Sequence, residues 1–277
     1  VNKLTEYPTN KIFDRLIDNK STNNYLNYIS ELRKRKTKEI YKRCLLLIEK
    51  GSDKEKIIGI DVISQFGFNP RLFQKRTLKI YFDLLKTETN KRVIESTLFG
   101  ISWNNENITD KQLSIICYYV EHKSAYVRYA LTYALCRIEK DKAIDTLIKL
   151  STDRDVDIRD YATFGLGSQN ELDNHKIRAA LWERVKDKDQ GVRLEAISGL
   201  AQRKDKNIIE ILKKEFSSIP YHNLSHVLEC IEHLNDKSFI PILENKKYEN
   251  KDQSISEIKK KWVLATLGKL KSNKNNI

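Results

Sequence analysis

The chain has 277 residues, 40% of them hydrophobic, enough to form one large domain, two ordinary ones or a single solenoid, so core size is not limiting. It carries 51 Lys and Arg against 38 Asp and Glu, a formal charge of +13, with nine Gly and four Pro. So few turn formers in a chain rich in Leu, Ile, Lys and Glu favour helices over strands. No apolar run approaches the length of a membrane span, and the start, VNKLTEYPTNKIFDRLI, lacks the pattern of a signal peptide. A soluble, cytoplasmic, all-α protein is expected.

The charge is unevenly spread. Residues 1–50 hold 12 basic and 6 acidic residues, and residues 246–277 hold 9 and 3, whereas residues 51–245 are balanced at 30 and 29. The four cysteines, Cys44, Cys117, Cys136 and Cys230, are scattered within apolar helical patterns. Buried free thiols are expected rather than a disulfide framework or zinc site.

From residue 24 onward the chain repeats. Taking Val192, the β-branched residue before Arg193, as position zero, equivalent positions fall at Asn24, Ile58, Val93, Val127, Ile158, Val192, His226 and Lys259, spaced by 31 to 35 residues. Apolar or small residues recur at +4 and +8, among them Val62 and Phe66, Leu131 and Leu135, Ala162 and Leu166, and Ala196 and Leu200. Between these helices run others of helical period: Ile40 to Ile48, Leu72 to Leu85, Leu113 to Val120, Ile144 to Leu150, Ile177 to Val185, Ile208 to Phe216 and Phe239 to Leu243. Each unit therefore reads as a helix pair that buries its apolar face against its neighbours. Gly67, Gly167 and Gly268 at +9 suggest left-handed helix ends, and Pro70, Pro220 and Pro241 fall in turns or at helix starts. An acidic residue recurs at −5 (Asp53, Glu88, Asp153, Asp187), and Arg at +1 (Arg128, Arg159, Arg193). These two can pin successive turns through charge-assisted hydrogen bonds.

The phrases SAYVRYALTYALCRI, DVDIRDYATFGLGS and QGVRLEAISGLAQR resemble the short HEAT-like repeats of the phycobilisome-lyase type found in many bacterial proteins. The Trp, Leu-Gly, Tyr and Pro positions of tetratricopeptide repeats and the Thr-Pro-Leu-His of ankyrin repeats are not matched. The resemblance implies a right-handed α-α superhelix, a HEAT-like solenoid of about eight helix pairs over residues 1–277. Residues 1–50 would form a basic N-terminal capping repeat, 51–245 the central repeats, and 246–277 a basic C-terminal cap and tail.

It further implies that the Val-Arg helix is the second of each pair and lines a concave groove. Positions 0, +4, +7 and +8 then face the core, and +2, +3, +6 and +10 the groove. The groove set includes Glu95, Ser96, Phe99 and Trp103; Tyr129, Ala130, Tyr133 and Arg137; Asp160, Tyr161, Phe164 and Ser168; and Leu194, Glu195, Ser198 and Gln202, with Asp61, Glu229 and Glu232 in outer repeats. Of these, Phe99, Trp103, Tyr129, Tyr133, Asp160, Tyr161, Phe164 and Glu195 are the candidate partner-binding residues. Aromatic rings among carboxylates suit a protein or peptide partner bearing Lys or Arg. The bland alternative is that the same rings pack on one another between repeats.

Other chemistry is weakly signalled. Nucleic acid could meet the runs Arg33-Lys34-Arg35-Lys36 and Lys259-Lys260-Lys261, although such runs are commonly solvated helix faces. HEAT-like alkylpurine DNA glycosylases set aromatics around an Asp, as Asp160 and Tyr161 with Trp103 and Tyr133 would, but no extended motif of that family is present. The dipeptides Glu121-His122 and Glu232-His233 reverse the His-Glu order of metal-dependent HEAT hydroxylases. His222, His226 and Cys230 at four-residue spacing read as a packed helix rather than a metal site. The sequence therefore points to a noncatalytic scaffold without cofactor or metal, for which a toxin-neutralising role would be compatible.

Overall fold

The computed structural model describes residues 3–218, 223–245 and 253–272, and among these it contains sixteen α-helices and no strand. The fold is that of a HEAT-like α-solenoid, and the chain divides into two compact units, Val1–Leu150 and Ser151–Ile277. Pro220 and His222 lie outside the described residues, as do positions 273–277 of the expected tail.

The first unit holds α1 (Thr9–Ile17), α2 (Thr22–Arg35), α3 (Lys38–Lys50), α4 (Asp53–Ser64), α5 (Gln74–Leu84), α6 (Lys91–Ser102), α7 (Asp110–Cys117), α8 (Ala125–Leu135) and α9 (Asp141–Leu150). The helices that carry the zero positions, α2, α4, α6 and α8, lie side by side, with α3 packed on α4 and α5 on α6. The second unit holds α10 (Val156–Gly167), α11 (His175–Arg184), α12 (Gln190–Gln202), α13 (Ile209–Ser218), α14 (Leu224–Leu234), α15 (Ile240–Glu244) and α16 (Gln253–Ser272). There α10, α12, α14 and α16 form the row, with α11 on α12, α13 on α14 and α15 on α16.

The repeat phase is confirmed by burial. Every residue at +4 and +8 is buried except the half-buried Tyr28, and the zero positions Ile58, Val93, Val127, Ile158 and Val192 are fully enclosed. At the ends the pattern relaxes: Asn24 is exposed, while His226 and Lys259 are half-buried. Position −3 is the N-cap of most second helices. Asn90, Asp155 and Asp189 accept the backbone N–H of Arg92, Asp157 and Gly191 at 2.8, 3.1 and 2.8 Å, satisfying donors that the first turn leaves open.

The Arg at +1 clamps its own turn. Arg128, Arg159 and Arg193 each donate Nη1 to the −5 carbonyl, of His122, Asp153 and Asp187, at 2.8, 3.0 and 3.0 Å. Arg159 also grips the next repeat, donating Nε and Nη2 to the Asp187 carboxylate at 2.9 and 3.1 Å. Burial would raise the Asp187 carboxyl, but the Arg159 bonds and the backbone N–H of Asp189 hold it below the usual carboxylate range. Lys56 and Glu88 span neighbouring repeats in the same way at 2.8 Å.

Two expectations about glycine are corrected. Gly67 is left-handed, at φ 85°, but Gly268 lies inside α16 facing open space, and Gly167 answers to proximity instead. A Cβ on Gly199 would come within 2.5 Å of the Gly167 Cα, so α10 and α12 touch backbone to backbone. Arg203 closes that junction, donating Nη1 to the carbonyls of Gly167 and Gly199 at 2.8 and 2.9 Å and Nη2 to Leu166 and Asn170 at 3.0 and 2.8 Å. The expected helix Leu113 to Val120 ends at Cys117 and continues as a 3-10 turn, Tyr118–Glu121. All four cysteines are free thiols, three buried and Cys136 half-buried.

Gly199→Ala is expected to destabilise the second unit by about 1–3 kcal/mol through overpacking, read as a lower urea midpoint. Arg159→Met, which leaves the buried Asp187 carboxylate only the Asp189 N–H and Arg184 at 3.5 Å, should cost about 3 kcal/mol at neutral pH. Because the folded Asp187 value is lowered, that contribution is present above the unfolded carboxylate range and fades as pH falls through the folded value. The gap between Arg159→Met and wild type should therefore narrow in acid.

Candidate partner-binding site

The eight candidate residues fall on two faces, one in each unit. In the first unit, α6 supplies Phe99 and α8 supplies Tyr129 and Tyr133, one turn apart. The Phe99 ring meets Tyr133 edge-on with centroids 5.0 Å apart and Tyr129 at 6.3 Å, and the two tyrosines lie 5.2 Å apart with their hydroxyls at 3.2 Å. All three remain half-buried, so the rings pack between repeats and still present an edge to solvent. Trp103, at the C-cap of α6, is 49% exposed.

Several expected groove residues are core instead. Ser96, Ala130, Leu194 and Ser198, at +3, +3, +2 and +6, are buried, because neighbouring second helices pack too closely to leave all of these positions open. Asp61 is half-buried, and its carboxylate accepts the hydroxyls of Tyr25 and Ser96 at 2.6 Å each. Burial raises its carboxyl, and those two bonds offset part of the shift. Arg33 donates Nε to the Asp61 carbonyl at 3.1 Å, and Arg35 donates Nε to Glu31 at 2.9 Å. Half of that basic run is therefore engaged within the fold, while Lys34, Lys36, Lys260 and Lys261 are exposed.

In the second unit the face is aromatic and acidic. Tyr161 and Phe164 on α10 pack edge to face at 5.5 Å, both half-buried. The same row carries Asp160 on α10, Glu195 on α12 and Glu229 on α14, with Asp160 and Glu229 near enough to act on the Glu195 carboxyl. Asp160 Oδ1 and Glu195 Oε2 are shut off from solvent without a hydrogen-bond partner among the described residues. Burial, reinforced by Asp189 and Asp157, raises the Asp160 carboxyl. For Glu195, burial together with Asp160 and Glu229 pushes the carboxyl up to about 7. His226 Nδ1 lies 3.9 Å from Glu195 Oε1, beyond hydrogen-bond reach, and burial lowers the imidazole while Glu229 opposes the shift.

The described residues contain no group of three or more His, Cys, Asp or Glu able to hold a metal, and no helix long and apolar enough to cross a membrane. Sequence reading missed a cleft of about 960 Å³ in the first unit, lined by residues 117–124 with Thr89 and Lys91. Its one visible signal is the Tyr118-Tyr119 pair outside the repeat register, with Tyr118 83% exposed.

The fold defines a HEAT-like helical repeat protein. Residues 127–153 match the family model described as PBS lyase HEAT-like repeat, starting at the zero position Val127. The chain is similar to Protein YibA of Escherichia coli strain K12 and of Escherichia coli O157:H7, 35% identical to each over 133 residues. That stretch covers 48% of this chain and 46% of each relative, so the match spans about half the length of these curated proteins. The X-ray structure of Escherichia coli YibA shares the fold, with a TM-score of 0.73 at 22% identity over 98% of this chain and 95% of that one.

Phe99→Ala removes the ring that both tyrosines lean on and is expected to cost about 1–3 kcal/mol, less than the loss of a fully enclosed Phe, measured by denaturant titration. A cost below about 1 kcal/mol would mark it as a surface residue.

Proposed function

We propose that the protein is a noncatalytic, cytoplasmic scaffold that captures a protein partner through its second-helix faces, using aromatic anchors flanked by carboxylates. The observation that carries this reading is the face of the second unit, where half-exposed Tyr161 and Phe164 share α10 with Asp160, and Glu195 and Glu229 stand on the next two helices of the row, in a chain that is basic overall. A partner with Lys or Arg on a helix or strand complements this face: its alkyl stems cover the rings and its cations meet the carboxylates. Phe99, Trp103, Tyr129 and Tyr133 offer a second aromatic surface in the first unit. A basic toxin whose working surface is masked by capture is one partner of this kind, and neutralisation would follow from occlusion alone.

The fold supports the reading in a general way, because stacked repeats provide long, rigid faces on which side chains vary without disturbing the core. Nucleic acid is the competing reading, and it would use the exposed lysines near the chain ends.

Calorimetry with a Lys/Arg-rich helical peptide, its Glu-substituted analogue and duplex DNA separates the two. Binding of the basic peptide alone is expected, weakened by about 1–2 kcal/mol in each of Tyr161→Ala and Phe164→Ala with unchanged urea midpoints. DNA binding that falls steeply with salt, and no peptide binding, would replace the scaffold reading with the nucleic-acid one.

A further inference from the structure

Asp160, Glu195 and Glu229 sit at positions +2, +3 and +3 of α10, α12 and α14, three helices packed side by side. Two of the three carboxylates turn one oxygen, Asp160 Oδ1 and Glu195 Oε2, into protein where no donor meets it. A buried ionised carboxylate needs hydrogen bonds or a countercharge, and a row of them repels itself. The simplest occupant of such a row is a proton, since a protonated carboxyl is itself a donor.

Among the described residues, the groups that act on Glu195 include no cation to do that work. From α10 it faces Asp160, to which Asp157 and Asp189 add negative charge. From α14 it faces Glu229, the imidazole of His226 at 3.9 Å and the Cys230 thiol, which burial pushes up to about 12. On α12 itself Arg193 is engaged with Glu215 at 2.9 Å. On α11, Arg178 pairs with Asp173 and Asp205, and Arg184 donates to the Ser151 carbonyl. Lys206, in the 3-10 turn after α12, lies near Asp236.

Within the row the proton falls to Glu195, on which burial acts most strongly. A Cβ on Gly191 would meet Asp189 Oδ1 at 3.1 Å and Asp160 Oδ1 at 3.2 Å, so Asp160 lies at the start of α12 beside the carboxylate that caps it. Glu195 stands a turn further along with a carboxylate to either side.

We propose that Glu195 is a proton switch for this face: protonated, it lets α10, α12 and α14 pack closely around it, and ionised, it is repelled by the half-buried Asp160 and the exposed Glu229 and loosens the three helices. This goes beyond the partner reading and stands whether or not a partner binds there. Because the Glu195 value is raised in the fold, its stabilising share is complete below the unfolded Glu value and is lost as pH rises towards about 7. His226 acts in the opposite sense: lowered in the fold, its share is present above its ordinary value of 6.5 and fades as pH falls.

The test compares the full chain with Glu195→Gln, which keeps the shape and cannot ionise. Between about pH 5.5 and about pH 8, the unfolding equilibrium constant of wild type is expected to rise roughly tenfold more than that of Glu195→Gln. Parallel profiles would overturn the proposal. A direct reading comes from wild type labelled with carbon-13 at Glu carboxyls: the resonance missing from Glu195→Gln should titrate near neutrality and move down in Asp160→Asn and in Glu229→Gln. A midpoint in the ordinary range near about 4.3 would equally sink it.

Discussion

Arg159 reaches in two directions at once, to the carbonyl of Asp153 at the start of its own repeat and to the carboxylate of Asp187 at the start of the next. That double grip fixes how far one helix pair can slide past its neighbour. In a repeat fold each unit buries its apolar face only against the adjacent units, so stability depends on such junctions rather than on a central core. The repeated Arg at +1 supplies the first half of the grip in three successive units, and the second half varies: Asp187 for Arg159, Glu215 for Arg193.

Close approach has a chemical consequence. Gly167 and Gly199 bring α10 and α12 into backbone contact, and Arg203 closes over the freed carbonyls. The same closeness removes water from parts of Asp160 and Glu195 that a looser pair of helices would leave wet. Packing that serves the scaffold thus raises the Glu195 carboxyl, first by burial and then through the like charges of Asp160 and Glu229.

The two aromatic faces illustrate how a repeat separates structure from specificity. In the first unit Phe99, Tyr129 and Tyr133 form a mutual cluster, so each ring is partly scaffold. In the second, Tyr161 and Phe164 pair on a single helix beside carboxylates, an arrangement that leaves more of its character to a partner. Loss of a ring should therefore trade stability against binding differently on the two faces.

The sequence by itself determined the helical class, the repeat period and the core positions, because a side chain at +4 or +8 meets the same environment in every unit and the pattern is repeated often enough to read. It also showed which residue types the second helices carry at +2 and +6. Only the tertiary structure decided which of them are open. Leu194, Ala130 and Ser198 are buried by the nearness of adjacent helices, and Asp61 is drawn into hydrogen bonds with Tyr25 and Ser96. The enclosed oxygens of Asp160 and Glu195 were likewise invisible, since their burial depends on helices distant in the chain packing side by side, and the cleft beside Tyr118 left only the Tyr118-Tyr119 pair as a trace. Periodicity records what each position repeats, whereas exposure and charge coupling depend on what each position meets.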